Sequence, residues 1–189
     1  MKLYNREEKT SEAQRQKAEH EKHVAERITI RAYYMQTKEQ LVAAVLEKRG
    51  RPFDPLTQAA LEGMEFRAEQ EREVKIALMD LVDIVGDPKK VADRMGSLQI
   101  HHLNPTLGLY FYLQCDELKS LEHYSVYLAL RPKDSLYVLD GKPGLCQLSI
   151  STERYGKELH AYTENLQNDS PAHWWYPYQV LWACLDLDR

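Results

Sequence analysis

A chain of 189 residues, 43% hydrophobic and 29% charged, carries enough apolar material for a substantial folded domain and does not suit a disordered chain. No run of about 18 apolar residues occurs, which excludes a transmembrane helix, and the polar stretch Met1 to Arg15 lacks the apolar core of a signal peptide. The net charge of −4 is unevenly placed: 18 Lys+Arg face 18 Asp+Glu up to Ser97, leaving 7 against 11 of the totals 25 and 29 from Leu98 onward, so no broad cationic face for nucleic acid is expected.

The first 23 residues hold few apolar side chains. Ser11 with Gln14 is a capping-box pattern, and residues 1–23 read as a solvated charged arm or frayed helix. From Val24 the spacing of Val24, Ile28, Ala32, Met35, Leu41, Val42, Val45 and Leu46 predicts a helix to Lys48, with a second capping box at Thr37/Gln40 marking a possible break. Gly50, Arg51 and Pro52 end it. Asp54-Pro55 then signals a new start, and Leu56, Ala60, Met64, Ala68, Val74, Leu78, Leu81 and Val85 predict one helix to Gly86. That helix would be roughly 45 Å long at about 1.5 Å per residue, with the polar stretch Glu69 to Glu73 projecting into solvent. Asp87-Pro88 opens a third, short helix with Val91, Met95 and Leu98 inward. Two long helices joined by a Gly/Pro turn are expected to pack as an antiparallel hairpin, so residues 24–97 read as a helical region.

After Gly96 the period changes to two. Leu109–Cys115, Tyr124–Leu130, Leu136–Leu139, Leu145–Ile150 and residues 158–163 read as strands between turn residues, and Tyr178–Leu187 as a strand or short helix. Short links imply antiparallel neighbours. Residues 98–189 thus read as an aromatic-rich antiparallel β region holding 13 of the 18 aromatic residues, and the fold class as α+β, a long-helix hairpin followed by an antiparallel sheet. Tyr110, Tyr112, Tyr124, Tyr127, Tyr137, Tyr155 and Tyr162 are candidates for one sheet face with hydroxyls toward water. Cys115, Cys146 and Cys184 are far apart and odd in number, which suits buried thiols of a cytoplasmic protein better than disulfides or a zinc site.

Two constellations stand out. In Ile100-His101-His102-Leu103-Asn104-Pro105, adjacent histidines precede a strand-like 109–115, a helix-like Asp116–Glu122 and His123. That order resembles the ββα-metal motif of His-Asn-His nucleases, which implies His102 as the base and His101 and His123 as metal ligands. Residues 106–122 contain no asparagine and the segment is acidic, so the expectation is that the histidines end a strand, with no catalytic residue, metal or cofactor. The second is Ala172-His173-Trp174-Trp175-Tyr176-Pro177-Tyr178: Trp174, Trp175, Tyr176 and Tyr178 form a dense set of amphipathic rings, suited either to covering the sheet or to holding a partner. Glu153, Glu158, Glu164 and His160 are expected as polar residues at strand ends. Phosphate-loop, dinucleotide, nucleophile-elbow and zincin signatures are absent.

These features point to a non-catalytic interaction protein. It would form a homodimer through helices whose stripes a hairpin alone cannot bury, and contact a protein partner through the aromatic surface. A metal-dependent nuclease built on the histidines is the alternative, and a small-ligand sensor with a pocket between sheet and helices is the third.

Overall fold

The computed structural model describes residues 14, 15, 18–33, 37–80, 96, 100–130, 136–139, 142–153, 156–163 and 180–186. Among the described residues seven strands and three α-helices follow in the order β1 (Val24–Ala32), α1 (Lys38–Arg49), α2 (Pro55–Gly63), β2 (Arg72–Asp80), α3 (Pro105–Gln114), β3 (Ser125–Leu128), β4 (Leu136–Leu139), β5 (Lys142–Glu153), β6 (Gly156–Thr163) and β7 (Val180–Leu185). A helical stretch over residues 18–22 precedes β1, and two 3₁₀ turns, Cys115–Glu117 and Lys119–Glu122, follow α3. Six strands run in the order β1-β2-β7-β3-β5-β6, with β4 paired to the first four residues of β5.

The long-helix hairpin is not formed, and the reason is arithmetic. Val24, Ile28 and Ala32 are spaced by four, which fits a helical period and also a period of two. The intervening Ile30 completes a strand face, and β-branched Val, Ile and Thr settle the choice. β1 exposes Ala25, Arg27, Thr29 and Arg31 and buries Ile30 and Ala32. Likewise Val74 and Leu78, with Ile76 between them, line one face of β2, so the expected helix 56–85 is a nine-residue helix followed by a strand. β1 and β2 pair antiparallel, Ile28 opposite Ile76, and Ile76 in turn stands opposite Leu185 of β7. Strands from the supposed helical region therefore share one sheet with the aromatic second half. The argument for a homodimer through long helical stripes goes with the hairpin. The sheet is also not antiparallel throughout, because β3 runs parallel to β7.

Local signals between those strands act as written. The Thr37 hydroxyl accepts from Gln40 N–H at 3.3 Å while the Gln40 side chain accepts from Thr37 N–H at 3.2 Å, and α1 stops at Gly50 in the left-handed region, φ 73°. Asp54 accepts from Thr57 N–H at 2.9 Å and from its hydroxyl at 2.6 Å, with Pro55 at the first position of α2. The third expected helix, with Val91, Met95 and Leu98, lies outside the described residues, as does the start at Ser11.

Leu109–Cys115, expected as a strand, belongs to α3 and the turn after it. Every residue from Pro105 to Tyr112 is buried, and a helix enclosed on all sides is apolar all round, without the stripe that separates helix from buried strand. Tyr110 and Tyr112 are therefore core residues. Their hydroxyls donate to Tyr33 O at 2.9 Å and Lys157 O at 2.8 Å. A Cβ at Gly108 would lie 2.8 Å from Leu128 Cδ1, so α3 approaches β3 this closely only because residue 108 has none. Lys48 donates to Tyr112 O and Leu113 O, and Lys157 to Cys115 O and Asp116 O, placing two ammonium groups on the negative end of α3.

The sheet curls around this helix. Ser120 N–H donates to the Glu26 carboxylate of β1, while the neighbouring Leu121 O accepts from Thr152 of β5. Those strands stand four positions apart, roughly 19 Å in a flat sheet at about 4.8 Å per strand. Both outer strands carry side-chain plugs on their open edges: the Gln114 carboxamide binds both N–H and O of Arg31 at 2.9 Å each, and the Thr57 hydroxyl accepts from Ala161 N–H at 2.9 Å. The main core lies between helices and sheet and spans Ile30 to Ala183. A smaller cluster of Ala77, Met79, Ile100, Ala129 and Cys184 packs elsewhere.

Candidate functional site

A cleft of ≈ 370 Å³ opens where the coil before β2, the N-terminus of α3 and the end of β7 meet. Its lining is Arg67, Arg72, Ile100, His101, His102, Asn104, Leu107 and Leu185. Each element is held there by a specific contact. Arg67 N–H donates to the Thr106 hydroxyl at 3.0 Å, which ties the coil to α3. Leu185 N–H donates to His101 O at 2.9 Å, and Leu103 N–H to Ala129 O at 2.9 Å, so the two histidines continue the sheet beyond the end of β3. Asn104 caps α3, accepting from Leu107 N–H at 2.8 Å, and its own amide donates to Glu69 at 2.5 Å.

The charge balance favours anions. Arg72 uses one nitrogen, Nη2, on Glu69 at 2.9 Å, and Arg67 makes only a long 3.7 Å approach to Glu65. Two arginines thus line the cleft, and the Glu69 carboxylate beside it is shared between Arg72 and Asn104. The positive end of α3 adds to the same field. Ile100 and Leu107 are buried and Leu185 half-buried, so Leu185 carries most of the accessible apolar surface among the lining residues.

His101 and His102 belong to this cleft, but His123 does not. His101 bridges to Leu185, whereas Ser125, two residues after His123, stands opposite Val180. Five residues of β7 separate those points, about 17 Å at about 3.3 Å per residue. His123 itself is exposed at the end of the second 3₁₀ turn. The strand–loop–strand–helix order of the nuclease resemblance is not formed either, since 109–114 is helical. Among the described residues, no group of three His, Cys, Asp or Glu side chains is placed to hold a metal ion. Trp174, Trp175, Tyr176 and Tyr178 lie outside the described residues.

Glu158, expected as a polar residue at a strand end, is buried in a second arginine cluster. Its carboxylate accepts from Arg49 Nε at 2.5 Å and from Arg51 Nε at 3.0 Å, and Arg49 also lies over the Phe53 ring and donates to Pro52 O. Burial raises the thiol of Cys115 to about 11 and that of Cys184 to about 12, so both are neutral and poor nucleophiles at physiological pH.

Arg67, Arg72 and Asn104 escaped the reading of the sequence. Asn104-Pro105 repeats the Asp54-Pro55 start signal and marks α3 once it is taken as a cap. Nothing local marks Arg67 or Arg72, because their role depends on where β2 and α3 come together. No described helix is long and apolar enough to cross a membrane. The chain matches no protein-family model, and neither a curated protein nor a solved structure shows significant similarity to it.

Proposed function

We propose that this chain is a non-catalytic binding protein whose ligand is a small molecule held in the cleft between β2, β7 and α3. The observation that carries this reading is the lining itself: two arginines, two histidines and one asparagine share a concavity of ≈ 370 Å³ with three aliphatic residues. Ligand sites combine an apolar surface with a few convergent polar groups, and this volume sits at the small end of their usual range. The lining supplies hydrogen-bond donors and apolar contact and includes no hydroxyl or thiol nucleophile. A screen of a small-fragment library by ligand-observed NMR tests the reading, with Leu185→Trp as the filled-cleft control. Fragments that bind the wild type and are lost in Leu185→Trp, at unchanged melting temperature, are the expected result. Fragments that bind both proteins equally would place the site elsewhere.

A further inference from the structure

Resting on that reading, we infer that the cleft takes a small amphipathic monocarboxylate, its head on Arg67 and Arg72 and its apolar body mainly on Leu185. Guanidinium groups match a carboxylate because their parallel N–H donors meet both of its oxygens. Arg72 spends one nitrogen on Glu69, leaving Nε and Nη1 for a ligand, and the Arg67 guanidinium, unlike its backbone N–H, makes no contact shorter than its 3.7 Å approach to Glu65 among the described residues.

Phosphate fits less well. Phosphate sites at helix N-termini use free backbone N–H groups, and here most of those donors are spent or missing. Pro105 has none, Leu107 N–H is taken by the Asn104 side chain and Gly108 N–H by Asn104 O. The Glu69 carboxylate beside Arg72 repels a dianion more than a monoanion. The aliphatic part of the lining rewards an apolar body that inorganic anions lack. At about 30 Å³ of space per non-hydrogen atom the volume suits roughly twelve such atoms, room for benzoate or hexanoate.

The test is calorimetric titration of the full chain with benzoate, benzyl alcohol and inorganic phosphate, on wild type, Arg67→Gln and Leu185→Trp. Arg67 is 46% exposed, so its replacement leaves the fold intact. Benzoate is expected to bind at least about tenfold tighter than benzyl alcohol, to lose about tenfold in Arg67→Gln, and to lose all binding in Leu185→Trp. Phosphate gives no heat of binding. Benzyl alcohol binding as tightly as benzoate, or benzoate affinity untouched by Arg67→Gln, would overturn the carboxylate assignment while Leu185→Trp sensitivity kept the cleft as the site. Phosphate binding that disappears in Arg67→Gln would replace the carboxylate with an inorganic anion. Failure of benzoate and of every library fragment to respond to Leu185→Trp would overturn both readings.

Discussion

Two clusters in this molecule bring two arginines together with glutamates, Glu158 for one and Glu69 and Glu65 for the other, and differ in access to solvent. Around Glu158 the cluster is closed: the Arg49 and Glu158 side chains are 3% and 1% exposed, and Glu158 accepts from both arginines. The second is open on its arginine side: Arg72 and Arg67 are 55% and 46% exposed, against 9% for Glu69, and their guanidinium groups use little of their donor capacity on the protein. A buried ion cluster must satisfy itself, because an unpaired charge out of water costs several kcal/mol. An open one can leave donors to a ligand, because water holds them meanwhile. The first cluster docks the turn after α1 onto β6. The second lines a cleft.

Breaking the closed cluster is expected to have the largest effect. Glu158→Gln keeps the shape but leaves Arg49 buried without a counter-ion, at a cost of about 3–5 kcal/mol. Urea titration measures it beside Arg51→Gln, whose 41% exposed side chain should cost far less. Equal midpoints for the two variants would mean that the cluster around Glu158 is not closed in solution.

Acid provides a milder break close to the same turn. Burial works against the charged form of Asp54, but hydrogen bonds from the Thr57 hydroxyl and N–H outweigh it and hold its pKa below the ordinary 3.8. A depressed folded pKa stabilises the protein above the unfolded value, and that contribution is lost as pH falls through the folded one. Asp54→Asn keeps a good cap without a titrating group. Its stability relative to wild type is therefore expected to rise as pH drops below about 4, and a difference constant from pH 7 to pH 3 would refute the role of this charge. Asp54→Ala removes the cap altogether, for about 1 kcal/mol.

The open cluster should respond least in stability and in the opposite sense for binding. Glu69→Gln removes a partly exposed pairing worth under about 1 kcal/mol and releases Arg72 toward the cleft. A small change in melting temperature with tighter benzoate binding is expected. Weaker binding would show that Glu69 positions Arg72 rather than competing for it.

The strands after residue 124 were legible because alternation and turn residues agree there: β4, β5 and β6 cover the expected segments, and β3 lies within Tyr124–Leu130. The aromatic tally was legible only as composition. It suggested a tyrosine-lined sheet face, whereas Tyr110 and Tyr112 sit on a central helix and Tyr127 stacks on Trp182 at 5.3 Å across β3 and β7. Of the candidate cleft, only His101 and His102 drew notice, and they did so for a metal chemistry whose third ligand stands at the other end of β7.

What the sequence by itself determined is the set of features closed within four residues: the capping box at Thr37/Gln40, the Gly50 stop, and the Asp54-Pro55 start. Each depends on a hydrogen bond or a dihedral preference that the local chain supplies alone. Tertiary structure decided the rest. Val24–Ala32 and Arg72–Asp80 satisfy two periods at once, and pairing with each other and with β7 selects the strand. Leu109–Gln114 is apolar on every side, and enclosure by the curled sheet selects the helix. The cleft belongs wholly to this second kind: Arg67, Arg72, His101 and Leu185 span more than a hundred residues, and a site made of such contacts exists only after long-range pairing has set its walls.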